Sequence, residues 1–123
     1  MTAMASGYRS VLEPGRCFGI DAEDGRTAVL VERSGPESHA PEWYPLDERG
    51  LDALAERVTR FGERAKVCVS SRGARALEVA GRMIRAPRVE LLFLFERGRP
   101  ACMDTDAQAA HAGELARSAQ RAP

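Results

Sequence analysis

The stretch that most constrains the fold is Arg16 to Arg33, RCFGIDAEDGRTAVLVER. Two runs rich in β-branched and apolar residues flank Ala22-Glu23-Asp24-Gly25. Asp-Gly is a strong signal for a tight hairpin, because Gly tolerates the positive φ such a turn needs. The first strand is expected over Cys17 to Asp21 and the second over Thr27 to Glu32. Side chains alternate across a strand, so Phe18 and Ile20 share one face, and Cys17, Gly19 and Asp21 share the other. Asp21 is the residue of this hairpin with a chemical job in prospect. Its plain alternative is a strand-end carboxylate accepting N–H bonds from the turn.

The rest of the chain continues from this hairpin. Met1 to Gly15 has no apolar period and reads as a flexible lead-in. After a turn at Ser34–Ser38, His39 to Tyr44 is a third strand. Pro41 and Pro45 lack the N–H that a central strand donates, which sends it to a sheet edge. There Trp43 and Tyr44 offer an apolar rim to a partner. Asp47 caps a helix with Leu51, Leu54, Ala55, Val58 and Phe61 at helical spacing. Its outer face is expected to carry Glu56, Arg57, Arg60 and Glu63.

Lys66 to Ser70 is a fourth strand. Ser71 is expected to cap a helix over 73–85, with Leu77, Ala80, Gly81 and Ile84 turned inward and Pro87 as the stop. Val89 to Phe95, VELLFLF, reads as a strand covered on both faces. Gly98-Arg99-Pro100 turns the chain. Asp104 or Asp106 caps a last, alanine-rich helix to about Ser118, whose weak apolar face predicts loose packing. Residues 119–123 are expected to be a flexible tail, leaving one domain over 16–118.

Composition narrows the chemistry. The 123 residues carry 18 Lys+Arg against 18 Asp+Glu, a formal net charge of zero. A strongly basic balance that would draw nucleic acid is absent. Lys66 is the single lysine, so arginine dominates in the manner of a GC-rich coding bias. Cys17, Cys68 and Cys102 are too scattered for a zinc site, and the first two read as small buried hydrophobes. No apolar run is long enough for a membrane span, and no signal-peptide pattern opens the chain. A cytoplasmic protein is expected. His39 and His111 read as surface residues, and Glu23 and Asp24 as turn residues facing water.

The order β-β-β-α-β-α-β-α requires an antiparallel front half and a mostly parallel back half in a mixed α/β fold with a five-stranded sheet. That order, with Gly19-Ile20-Asp21 on the first strand, resembles the ribonuclease H-like superfamily. The nearest likeness is to the RuvC-like N-terminal domain of the DEDD-type insertion-sequence transposases. The resemblance implies that Asp21 is the first metal carboxylate. It implies a second carboxylate at the end of the fourth strand, where Val67-Cys68-Val69-Ser70-Ser71-Arg72-Gly73 offers serine instead. It also implies two aspartates ahead of the last helix, which Asp104 and Asp106 echo at too short a spacing.

Two-metal phosphodiester cleavage needs several carboxylates around ions roughly 3.5–4 Å apart. One aspartate holds Mg²⁺ weakly. The expectation is therefore an incomplete metal site, no cofactor, and a non-catalytic binding or assembly module with a protein partner or a second copy. The alternative is a Mg²⁺-dependent nuclease or transposase-type domain using Asp21, with Asp104 and Asp106 in support. In that case Arg72, Arg75, Arg82, Arg85 and Arg88 would meet DNA.

Overall fold

A computed structural model describes residues 16–97 and 104–122. In chain order the elements are β1 (Arg16–Asp21), β2 (Thr27–Ser34), β3 (Glu37–Ser38), β4 (Glu42–Pro45), α1 (Glu48–Thr59), β5 (Ala65–Ser70), α2 (Ala76–Arg85), β6 (Val89–Leu94) and α3 (Thr105–Arg121). The sheet is mixed and six-stranded. The expected third strand over 39–44 is shortened to β4 at Glu42–Pro45, and the two-residue β3 forms inside the expected turn; they pair with different parts of β2, β3 at Arg33–Ser34 and β4 at Thr27–Leu30. Pro41 falls in the gap between them, and Pro45 ends β4 at the sheet edge, where a missing N–H is tolerated.

β1 is central. It runs antiparallel to β2, with Asp21 opposite Val29, and parallel to β5, with Gly19 opposite Cys68. β6 adds in parallel beyond β5, with Ser70 opposite Leu94. The strand order is β3-β2-β1-β5-β6, with β4 also on β2. The C-terminal ends of β1, β5 and β6 therefore share one edge of the sheet.

The alternation expected on β1 holds and sorts the core into two layers. Phe18 and Ile20 face α1 and α2, packing with Leu30, Leu54, Val58, Val67, Val69, Val79 and Met83. Cys17, Gly19 and Asp21 face α3. Cys17 and Cys68 meet Leu115 and Ala119 there, and Val29 and Val31 meet Ala112.

α3 lies tight on β1 rather than loosely. A Cβ placed on Gly19 would fall 2.0 Å from the Ala112 carbonyl oxygen and 2.3 Å from the Ala116 nitrogen. The alanines are the packing device: a stripe of small side chains over a glycine lets a helix backbone approach a strand closely. The helix runs through Arg121 with Ala119 fully buried, so the expected tail at 119 is helix instead.

Three further expectations are corrected by the packing. Asp47 does cap α1, accepting from the Gly50 nitrogen at 2.8 Å. Arg57, however, is buried rather than solvated. It bonds Glu32 at 2.8 Å and Glu42 at 2.9 Å, while Arg16 holds the other oxygen of Glu32 at 2.8 Å. Burial alone would raise the Glu32 and Glu42 carboxyls. The guanidinium bonds outweigh it and hold both below their ordinary values.

α2 starts at Ala76, not Gly73, and Ser71 does not cap it. Gly73 has φ +102°, and a Cβ there would strike the Ala22 carbonyl at 2.5 Å. α2 buries Ala76, Val79, Ala80 and Met83, leaving Leu77 and Ile84 exposed. β6 is half-buried rather than covered on both faces, because the sheet ends there and α3 lies over β1, β2 and β5.

On β4, Trp43 is partly exposed, and Tyr44 is half-buried with its hydroxyl donating to Glu42 at 2.6 Å. Burial and the Glu42 carboxylate push the Tyr44 phenol up to about 12. No helix among the described residues is long and apolar enough to cross a membrane. The expected turn at Gly98-Arg99-Pro100, Cys102 and the Met1–Gly15 lead-in lie outside the described residues.

Candidate functional site at the strand ends

Ligands of open α/β sheets are generally taken at the carboxyl ends of the parallel strands. In this chain that edge carries Asp21 closing β1, Ser70 closing β5, and Glu96 just past β6. Asp21 is fully buried under α3. Its Oδ1 accepts from the Glu23 backbone nitrogen at 2.9 Å and from Gln108 Nε2 at 3.2 Å. Its Oδ2 pairs with His111 Nδ1. The turn bond makes Asp21 a strand-end acceptor as its plain alternative proposes. The side-chain bonds make it the centre of a cluster as well.

His111 reaches in from the second turn of α3 and bridges two acids. Its Nε2 lies 2.7 Å from Glu96 Oε1. Ser70 Oγ donates to that same Glu96 oxygen and accepts from the Arg72 nitrogen at 3.2 Å. Ser71 Oγ accepts from the Glu96 nitrogen at 3.1 Å, and the Ser71 nitrogen bonds the Leu94 carbonyl at 2.8 Å. Glu96 is thereby fixed by the turn after β5. Serine at Ser70 does not supply the carboxylate itself; it orients one borrowed from the neighbouring strand.

The electrostatics follow from this geometry. The bond to Asp21, helped by the charges of Asp21 and Glu96, raises the His111 imidazole above its ordinary value despite partial burial. An imidazolium with both N–H groups donated to carboxylates is the form these contacts stabilise. Glu23 has the opposite surroundings. Both its carboxylate oxygens are out of solvent and have no hydrogen-bond partner among the described residues. Burial, then the nearby Asp21 charge, raises its carboxyl.

Asp21, Glu23 and His111 each offer a ligand atom within 4.8 Å of one another. That donor set of two carboxylates and one imidazole suits a single Mn²⁺- or Zn²⁺-type ion better than Mg²⁺, which prefers oxygen throughout. It does not fit a two-ion site, because His111 occupies the space between Asp21 and Glu96.

Of the residues singled out in the sequence, Asp21 is at the centre of the site. Asp104 is exposed and caps α3, its Oδ1 accepting from the Ala107 nitrogen at 2.8 Å, and Asp106 is exposed in the first helical turn. Neither belongs to the group around Asp21.

Arg72 bonds the Arg97 carbonyl at 2.9 Å, Arg75 pairs with Glu78 at 2.6 Å, and Arg82 pairs with Asp52 at 2.6 Å. His39 is exposed and within 3.2 Å of Ser34 Oγ, as expected. Asp24 is likewise a turn residue, its Oδ1 accepting from the Arg26 and Thr27 nitrogens at 2.8 Å each. Two expectations are corrected here: His111, expected at the surface, is drawn in by its bonds to Asp21 and Glu96, and Glu23, expected to face water, turns its carboxylate out of solvent beside Asp21; Glu96 is the site residue that the sequence does not single out. Gln108 and His111 fall at the N-terminal end of the α3 stripe that continues through Ala112, Leu115 and Ala119, which is the signal that leads to them.

No protein-family model matches this chain, and no curated protein matches it.

Proposed function

We propose that this chain is a ribonuclease H-like domain whose strand-end acids are neutralised by a side chain of its own, and that it works as a binding or assembly module rather than a nuclease. The observation carrying this reading is His111, seated between Asp21 and Glu96 with one ring nitrogen on each. A fully buried carboxylate needs a positive partner, because desolvating it alone is expensive. Here an imidazole supplies that partner. Support for the fold comes from the central β1, its antiparallel meander on one side and two helix-crossed parallel strands on the other.

A second reading has one observation in its favour. The Glu23 carboxylate is buried beside Asp21 and His111 without a hydrogen bond, as a waiting ligand would be. On this reading the domain is a metal-dependent phosphodiesterase acting on DNA. Asp21, Glu23 and the unprotonated His111 nitrogen would hold one divalent ion, with Glu96 fixing the imidazole from its far side, as carboxylates do for ligating histidines. The ion would supply a Lewis acid for phosphodiester hydrolysis.

Thermal melts and DNA-cleavage assays with millimolar Mg²⁺ and Mn²⁺ separate the two. The module reading expects no metal-dependent melting shift and no cleavage. A metal-dependent rise in Tm in the wild type that is absent in Asp21→Asn, accompanied by cleavage, overturns it in favour of the second.

A further inference from the structure

Among the described residues no strand pairs with the outer edge of β6, and that edge is apolar along most of its length. Leu91, Leu92, Phe93 and Leu94 are all half-buried. Phe95, just beyond them, is 78% exposed and stacks edge-on against Phe93 at 5.2 Å between ring centres. A long apolar edge with unpaired N–H and C=O groups is a template for another strand, and folded proteins rarely leave one bare.

α2 extends the same surface. Its buried stripe is Ala76, Val79, Ala80 and Met83, and Arg82 on one flank pairs with Asp52 of α1. At 100° per residue, Leu77 and Ile84 lie on the opposite flank; the helix packs on β5 and β6, so that flank, turned away from α1, is the one towards the free edge of β6. Leu77 is 76% and Ile84 66% exposed. Isolated exposed apolar side chains are ordinary; two on one helix flank above an open apolar strand make a continuous patch.

We infer that this edge is a homodimer interface, with β6 of two copies pairing antiparallel across a twofold axis and the two α2 helices packing side by side above it. The patch complements itself under that symmetry. A twofold axis near Ala80 and Gly81 sets Leu77 of one copy against Ile84 of the other. Gly81 has open space where its Cβ would be, so the helix backbones can come close at the crossing. The same rotation brings Arg85 of one copy beside Glu78 of the other, twice per dimer. Arg85 is exposed and has no ion pair among the described residues, while Glu78 pairs with Arg75 along its own helix. Paired strands stand about 4.8 Å apart and packed helices about 8–10 Å. Helices seated over β5 and β6 in each copy meet both spacings. A symmetric, self-complementary patch of this kind gives a closed dimer rather than an open filament. The inference uses no residue of the Asp21 site and stands or falls separately from it.

Sedimentation equilibrium of the full chain at tens of micromolar tests it. The wild type is expected to be a dimer. Leu77→Asp with Ile84→Asp is expected to give a folded monomer with unchanged circular dichroism, since neither side chain is buried within one copy. Glu78→Arg and Arg85→Glu should each raise the dimer dissociation constant about tenfold through like-charge contacts, and the double swap should restore it. A wild type that stays monomeric overturns the inference, including the case where deleting residues 1–15 converts it to a dimer and so shows that segment to be the natural cover. A dimer that survives Leu77→Asp with Ile84→Asp overturns it as well.

Discussion

Replacing Gly19 by alanine tests the contact on which both the core and the site depend. Gly19 occupies ordinary strand backbone, so the requirement there is space and not conformational freedom. A methyl group at this position lies 2.0 Å from the Ala112 carbonyl oxygen, where real Cβ contacts essentially never fall below 3.0 Å. α3 must therefore retreat from β1 by about 1 Å, and neither clashing atom is a side chain that can rotate away. A gap of that size forfeits a quarter to a half of each dispersion contact along the interface. Those contacts include Ala112, Leu115, Ala116 and Ala119, all essentially fully buried.

Two terms favour alanine: its better strand backbone entropy, about 0.5–1 kcal/mol, and a buried methyl, about 0.8 kcal/mol. Overpacking typically costs 1–3 kcal/mol, and backbone on the receiving side pushes the cost to the top of that range or beyond. A net loss of about 2 kcal/mol is expected, or roughly 8–16 °C in Tm for a domain of this size. Gly113→Ala on the same helix is the control. No atom lies within 4 Å of a Cβ there, so it should stabilise by about 0.5–1 kcal/mol through helix propensity. Thermal and urea melts followed by circular dichroism read both. If Gly19→Ala melts with the wild type or above it, α3 does not dock on β1 as described, and the placement of His111 beside Asp21 goes with it.

Two further outcomes follow from the buried charges. His111→Ala strands the Asp21 carboxylate without its cation and should cost about 3 kcal/mol; in Asp21→Asn the same change should cost far less, and equal costs in a urea-melt double-mutant cycle would refute the coupling. The depressed Glu32 and Glu42 carboxyls stabilise the fold fully above the unfolded carboxylate value of about 4.3, and that contribution is lost as pH falls through their lower folded values. The urea midpoint should therefore fall with acidification from about pH 5 downward, and an unchanged slope in Glu32→Gln would count against the Arg16–Glu32–Arg57–Glu42 cluster.

Local signals carried a large part of the architecture. Asp-Gly between two β-branched runs fixes the hairpin, and Asp47 before a clean i, i+3, i+4, i+7 series fixes α1. The signals that failed were ambiguous in physical terms. On α2, Leu77-Ala80-Gly81-Ile84 and Ala76-Val79-Ala80-Met83 are both amphipathic stripes, one residue apart in phase. Periodicity cannot choose between them; the neighbouring sheet chooses. On β6 a continuous apolar run reads as a doubly covered strand, yet the same run suits a half-buried strand at the end of the sheet. On α3 the alanines carry little hydrophobicity, so a scale reads them as weak. Their value is smallness, which only has meaning opposite Gly19.

The site was half legible for a related reason. Asp21 announces itself because Gly-Ile-Asp ends a strand beside a tight turn. Its partners are distant in sequence: Glu96 comes from two strands away, and His111 from a helix whose docking depends on an absent side chain. A carboxylate missing from the end of β5 suggests an empty corner when the chain is read one strand at a time. In three dimensions parallel strands share that corner, and Ser70 with Ser71 needs only to hold the neighbour's acid in place. The arrangement also links stability to whatever the site does. The helix that brings His111 to Asp21 is the one that covers β1, so a ligand or metal ion that displaced the imidazole would act on the packing of α3. Function and folding at this edge are therefore to be measured together, with the melting temperature as the first readout of any candidate ligand.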